Sequence, residues 1–294
     1  MSSRKIESTA KNERAELLRR GFLVVPDILT AAEIACFCQA TDALLKESEE
    51  LQRSFRSQGS MIPTTRDSRF LELIANPKAL AALARLGWLE PTFTDGYVIS
   101  KPAGAPPLFW HYDWFAWSFE AVFEPVPPQI FAMYYLTNTN PANGCLRVIP
   151  GSHVELNPLH GQLREPHRGA LSAAVDLTDP AFSHRPDELD VPVRAGDLII
   201  GDARLLHAAH ANSSGERRTL ITLWYQPDVA SLPEPVQAQM VAKIQHPDSS
   251  WPAEARARLE TLFPSYIGKA QPYPRELHPA SRAGGSSAVV DKSC

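Results

Sequence analysis

Cysteine is scarce in this chain, four in 294 residues, and Cys36, Cys38, Cys145 and Cys294 follow neither a disulfide framework nor a cysteine-rich zinc spacing. Cys36 and Cys38 fall inside a helical pattern, where core or surface thiols are expected. No apolar run approaches the ~20 residues that a membrane-spanning helix needs. The opening Met1–Glu7 has no apolar signal core, and Val290–Cys294 is not a prenylation box, whose cysteine stands fourth from the end. The formal net charge of -4 leaves no broad basic field for nucleic acid. There is no internal repeat, which excludes a solenoid. The expectation is a globular chain in the reducing cytoplasm, with no membrane or nucleic-acid partner; its oligomeric state is left open.

With 44% hydrophobic and 21% charged residues the chain can bury a sizeable core. Residues 1–12 are polar and read as loose, followed by a helix through Glu13–Arg20 and a short strand at Gly21–Val25. Thr30, with Glu33 three positions on, carries the capping-box signature of a helix start. Ile34, Phe37, Cys38, Ala40, Leu44 and Leu45 then form a buried stripe. Residues 52–68 read as a loop, Asp67–Ile74 as a helix, and Asn76-Pro77 as the start of another. Beyond residue 92 the pattern changes to strands punctuated by Pro and Gly. The Pro-punctuated stretch 154–190 is a long insertion of the kind that is functional or mobile. Helical patterns return at 233–245 and 252–262. Residues 1–279 read as one domain, and a Gly/Ser-rich tail over 280–294 reads as disordered.

The chemistry is concentrated in Phe109-Trp110-His111-Tyr112-Asp113-Trp114. On a strand, residues i and i+2 share a face, so His111 and Asp113 can reach one metal, and a second histidine from elsewhere completes the set. Two histidines and one carboxylate on one side of Fe(II) leave its other positions open, as non-heme oxygenases require. One His-x-Asp pair among nine histidines is a weak signal by itself. Taken singly, His111 reads as a satisfied core histidine and Asp113 as a turn or ion-pair carboxylate; their order with His207 and Arg218 reverses that balance.

The flanking segments add context. Asp95–Pro102 reads as a strand ending in a turn, and Gln129–Leu136 as another strand. They are followed by Asn143-Gly144-Cys145-Leu146-Arg147-Val148-Ile149-Pro150-Gly151-Ser152-His153. Arg194–Asp202 is a turn feeding a strand toward His207, and Arg217–Tyr225 is a strand with Arg218 at its start. This order resembles the phytanoyl-CoA dioxygenase-like family of Fe(II)/2-oxoglutarate oxygenases, over residues 20 to 226.

The resemblance implies a mainly β fold, a double-stranded β-helix or jelly roll with the metal inside one end, here with N-terminal and C-terminal helices packed on it. It implies that His111, Asp113 and His207 hold iron, and that Arg218 pairs with the distal carboxylate of 2-oxoglutarate through its guanidinium fork. His207 and His210 point to opposite faces of an extended segment, so at most one shares the metal face; the family spacing favours His207. Arg217 and Arg218 are likewise on opposite faces, and the family spacing favours Arg218. The same family positions assign Tyr97 and Met133 to the 2-oxoglutarate pocket. Met133 departs from the bulkier polar aromatic of the founding member.

What the resemblance implies about activity is the oxidation of a small organic molecule by dioxygen, with 2-oxoglutarate converted to succinate and carbon dioxide. Asp113 is present where related halogenases carry a small residue, which favours hydroxylation, desaturation or ring rearrangement. A CoA thioester calls for a basic cluster, and only Arg164, His167 and Arg168 are loosely grouped, so a free metabolite is the expected substrate. The alternatives are a cupin-like metal enzyme or metal hydrolase that does not use 2-oxoglutarate, and a non-catalytic jelly-roll binding module. Arg218 speaks against the first and the intact ligand set against the second. Trp114, Phe115 and Trp117 lie just past a ligand and read either as core or as an aromatic wall against substrate. The 114–128 and 154–190 segments read as loops over the metal mouth. His153 reads as a structural hydrogen bonder, and His160, His167 and His184 as solvated loop residues.

Overall fold

Capping chemistry sets the helix boundaries in the computed structural model, which describes residues 3–48, 55–119, 123–163 and 169–275. Helix α1 (Ser3–Arg20) begins ten residues before the expected Glu13, because no Pro or Gly interrupts that stretch. It ends at Gly21, whose φ of +85° and N–H bond to the Leu17 carbonyl (2.7 Å) make the left-handed turn that favours glycine. Thr30 and Glu33 exchange both capping-box bonds at the start of α2 (Ala31–Glu47). Two short helices follow, α3 (Leu71–Ile74) and α4 (Pro77–Arg85). Asn76 caps the latter by accepting from the backbone N–H groups of Lys78 and Ala79.

Among the described residues, ten strands make two antiparallel sheets. The larger orders β1 (Phe22–Val25), β8 (Leu198–Asp202), β5 (Ile130–Tyr135), β10 (Arg218–Gln226), β3 (Thr92–Lys101) and β2 (Ile62–Pro63). The smaller orders β4 (Leu108–His111), β9 (His207–Ala209), β6 (Leu146–Val148) and β7 (Leu189–Val191). The period of two along each strand divides the core. On the large sheet, Ala132, Tyr134, Leu198, Ile200, Ile221, Leu223 and Tyr225 face α2–α4 and pack with Phe37, Leu44, Phe70 and Leu83. Their neighbours Phe131, Met133, Tyr135, Ile199 and Leu220 face the small sheet and pack with Leu146 and Val148. This is the jelly roll that the family resemblance implied, with helices on its outer layer. Two C-terminal helices, α6 (Glu234–Ala242) and α7 (Ala253–Glu260), follow β10, and α5 is the single turn Gly169–Ser172.

Three sequence expectations change. Strand β4 ends at His111, so Asp113 stands in the bend beyond it; the N–H groups of Asp113 and Trp114 both donate to the Ala203 carbonyl (2.8 and 2.9 Å) and draw the chain off the ladder. The 52–68 loop contains β2 and a 3-10 turn at Thr64–Arg66. The 154–190 insertion holds 3-10 turns at Pro158–Gln162 and Pro180–Phe182 besides α5, and Leu171, Ala181 and Phe182 bury against Phe109 of β4. Residues 164–168 of that insertion, with the Arg164, His167 and Arg168 group, and the 280–294 tail lie outside the described residues. No helix among the described residues is long and apolar enough to cross a membrane.

Candidate metal centre and co-substrate cavity

Strand pairing places the two histidines. His111 and His207 are direct partners across β4 and β9, which puts both side chains on the inner face with ring centroids 4.1 Å apart. Each ring is oriented by a backbone carbonyl two residues earlier: His111 Nδ1 lies 3.1 Å from Phe109 O, and His207 Nδ1 lies 3.0 Å from Leu205 O. A proton on Nδ1 satisfies each carbonyl and leaves the Nε2 lone pair for a metal, the usual arrangement of a ligating histidine. Burial, and then the neighbouring His207, hold the His111 pKa well below the ordinary imidazole range, so that ring is neutral, as a ligand must be.

The Asp113 carboxylate completes the group. Its Oδ1 lies 3.7 Å from His111 Nε2 and its Oδ2 lies 4.0 Å from His207 Nε2, too far for hydrogen bonds but close enough for one ion to bridge. One donor atom from each of the three residues lies within 4.8 Å of the others. Trp224 Nε1–H donates to Asp113 Oδ2 at 2.9 Å, which pins the carboxylate that the strand itself no longer holds.

These groups open into a cavity between the sheets. Its far end is cationic. Arg218 and Lys101 are direct partners across β10 and β3, and both are fully buried. Lys101 Nζ donates to the carbonyls of Pro106 (2.6 Å) and His210 (3.2 Å). Burial, and then Arg218, push the Lys101 pKa well down. Arg218 Nε and Nη1 are buried and have no hydrogen-bond partner. Leaving such a group unpaired costs several kcal/mol in a dry interior, on the order of a broken ion pair. The cavity therefore pairs a two-histidine, one-carboxylate donor set with an unsatisfied guanidinium, and both fit what a metal and a dicarboxylate require.

Of the residues read from the sequence, His111, Asp113, His207, Arg218 and Met133 line this cavity. Arg217 points the other way and donates to the Ser100 carbonyl at 2.9 Å. His210 also faces away and pairs with Asp190. Tyr97 does not line the cavity; it packs edge-on against Trp224, 5.8 Å between ring centroids. Trp114, Phe115 and Trp117 do not line it either. They are buried in a separate cluster with Leu159, Leu206, Val236 and Met240, because the turn onto Ala203 carries them toward α6. His160, read as solvated, is buried there beside Tyr112 and Trp117. His153 Nε2 bonds the Leu18 carbonyl (2.9 Å), a structural contact, and His184 is an exposed partner of Glu188.

Sequence reasoning missed Lys101, Ile99, Tyr135, Leu220, Thr222 and Trp224. A parity count could have found them: Leu220, Thr222 and Trp224 follow Arg218 in steps of two, Ile99 and Lys101 follow Tyr97, and Tyr135 follows Met133. Gln58 and Met61 also line the cavity and carried no such signal. They come from the 55–61 segment, which is tied to the insertion by the Ser57 N–H bond to the Ser172 carbonyl (2.9 Å) and by Gln58 Nε2 to Ser172 Oγ (3.2 Å).

The fold and the site define a jelly-roll protein with a two-histidine, one-carboxylate group that could hold a metal ion. The chain belongs to the phytanoyl-CoA dioxygenase family, whose model (phytanoyl-CoA dioxygenase, PhyH) matches residues 17–220. Fe(II), 2-oxoglutarate and dioxygen are the cofactor and co-substrates of this class. Among curated proteins, an ectoine dioxygenase of Halomonas elongata is 29% identical over 217 residues, 68% of this chain and 65% of that protein's length. An ectoine dioxygenase of Nocardia farcinica is 30% identical over 242 residues, 75% of this chain and 78% of that one. Among solved structures, the epimerase SnoN in complex with Fe3+, alpha ketoglutarate and nogalamycin RO has a TM-score of 0.53 at 21% identity, covering 74% of this chain and 84% of that one. That likeness shows the shared fold.

Proposed function

We propose that this protein is an Fe(II)/2-oxoglutarate-dependent dioxygenase that hydroxylates a small organic molecule, with His111, Asp113 and His207 as the metal ligands and Arg218 as the co-substrate anchor. The observation that carries this reading is the buried Arg218 guanidinium, unpaired at one end of a cavity whose other end is the His–Asp–His group. A bidentate carboxylate satisfies such a fork, and neither a metal hydrolase nor a simple binding module calls for one there. Bound iron would supply the activation of dioxygen, coupled to oxidative decarboxylation of 2-oxoglutarate to succinate and carbon dioxide.

The chain's own residues provide the rest. The two imidazoles hold their Nε2 atoms inward through the Phe109 and Leu205 carbonyls, and Trp224 fixes Asp113 Oδ2 on the His207 side, which leaves Oδ1 beside His111. Ile99, Met133, Leu146 and Leu220 make the walls apolar and keep water away from the reacting atoms. Met61, Leu108 and Trp224 present apolar surface to the substrate. Such a lining suits a compact metabolite with an apolar or ring-containing body, and the two ectoine dioxygenases support a small molecule as the substrate.

The test is 2-oxoglutarate consumption with a metabolite panel, followed by product mass. Iron-dependent succinate formation with one oxygen added to a panel member supports the proposal. An iron-loaded protein that neither binds 2-oxoglutarate nor turns it over, with or without panel members, overturns it.

A further inference from the structure

The outer face of the small sheet carries a second set of metal-binding side chains that the cavity does not use. Arg147 of β6 pairs with Asp190 of β7 on one side and Ala208 of β9 on the other. The alternation along each strand then brings Cys145 and His210, two residues away, to the same face as Asp190. The His210 N–H donates to the Cys145 carbonyl at 3.1 Å, which locks these two segments side by side. One donor atom from each of Cys145, Asp190 and His210 lies within 4.8 Å of the others.

Burial is graded across the group. Cys145 is fully buried, whereas the His210 and Asp190 side chains keep 26% and 39% of their surface in water. The sulfur therefore forms a fixed floor, with two arms that can adjust and an approach from solvent. The arms now bond one another, His210 Nε2 to Asp190 Oδ1 at 2.6 Å. The other polar side chain of this face, Arg147, is already committed to Glu188. A thiol among the donors disfavours hard cations such as Mg2+ and Ca2+. Thiolate, imidazole and carboxylate together suit a tetrahedral zinc ion that keeps one position for water.

We propose that Cys145, Asp190 and His210 form a second metal site for a thiophilic divalent cation of the zinc type, outside the cavity and independent of the activity argued above. On binding, the Cys145 S–H bond gives its proton to solvent as the sulfur–metal bond forms, and the His210–Asp190 hydrogen bond opens to admit the ion. Burial pushes the Cys145 thiol up to about 12, so metal and proton compete for the sulfur. Affinity then rises with pH, by up to about tenfold per unit for one displaced proton. An occupied site would join β6, β7 and β9, the last of which carries His207.

Cobalt(II) is the probe, because thiolate ligation gives a near-ultraviolet charge-transfer absorption that a His–Asp–His centre cannot produce. Titration of the full chain is expected to saturate this band at one thiolate-bound cobalt per chain, with cobalt taken up by the His111–Asp113–His207 group adding nothing to it. It should vanish in Cys145→Ser, weaken at least tenfold in apparent affinity in His210→Ala, and persist in Cys36→Ser/Cys38→Ser. Zinc should displace the cobalt and bleach the band. No thiolate band in the unmodified protein up to millimolar cobalt, or a band that survives Cys145→Ser, overturns the site. Because His210→Ala alters a half-exposed side chain, a result that spares its band would equally count against the proposal.

Discussion

At the metal end of the cavity each imidazole is tied to a backbone carbonyl two residues before it, and a tryptophan N–H holds the carboxylate. At the other end, Arg218 and Lys101 stand opposite one another across two strands, and two guanidinium nitrogens have no partner. The first end is organised before any ligand arrives. The second is held by the sheet in an arrangement that electrostatics opposes, since like charges directly opposite are destabilising. A dicarboxylate bridging from the metal to Arg218 would relieve that opposition. Under the proposed function, one end would supply geometry and the other a driving force for co-substrate binding.

The sharpest way to break this contrast is His111→Ala, which is expected to abolish turnover and lower metal affinity while near- and far-ultraviolet circular dichroism stay unchanged. Full activity after metal reconstitution would remove His111 from the ligand set. Next comes Trp117→Ala: as a fully packed residue of the separate aromatic cluster it should cost about 3–5 kcal/mol of stability in denaturant melts. Its folded fraction should still couple 2-oxoglutarate consumption to product. Uncoupling at unchanged stability would return Trp117 to the substrate wall.

Arg218→Ala should weaken 2-oxoglutarate binding by about 2–5 kcal/mol, tens to thousands of fold, with metal affinity nearly unaltered. Arg217→Ala, which loses a bond to a backbone carbonyl on the other face, should leave co-substrate affinity within about threefold, on the order of 0.5 kcal/mol. Equilibrium titration of both variants separates the faces, and the reverse pattern would place the strand in the other register. An effect between those of Arg218→Ala and Arg217→Ala is predicted for Trp224→Phe, a loss of about 10–100-fold in metal affinity, as for other groups that orient a ligand. An unchanged metal titration would show that Asp113 needs no such support.

Most of the jelly roll was legible because its strands alternate and its helices carry caps: Thr30 with Glu33 and Asn76 with Pro77 start helices where the sequence placed them. The candidate ligand group was legible for a different reason. His111 and Asp113 are neighbours in sequence, and a family spacing pointed to His207 and Arg218. What stayed hidden depends on long-range geometry. Nothing near Asp113 announces that the chain bends onto Ala203, and that bend turns Trp114, Phe115 and Trp117 away from the cavity. Gln58 and Met61 reach the site only through the packing of one irregular segment on another, which leaves no periodic trace. Parity alone could have put Lys101 on the cavity face, but its opposition to Arg218 shows only once the two are known to be partners across the sheet.

Strand β10 behaves as a reading frame. Arg218, Leu220, Thr222 and Trp224 are read by the cavity, while Ile221, Leu223 and Tyr225 are read by the helices behind the sheet. Inserting or deleting one residue within the strand would exchange the two messages, burying the anchor among aliphatic side chains and presenting core residues to the ligands. Changes of length in this part of the gene would therefore be tolerated in the loops around β10 and selected against inside it. Substitutions at Leu220, Thr222 or Trp224 leave the frame intact, which makes them the positions through which descendants of this chain could acquire new substrates.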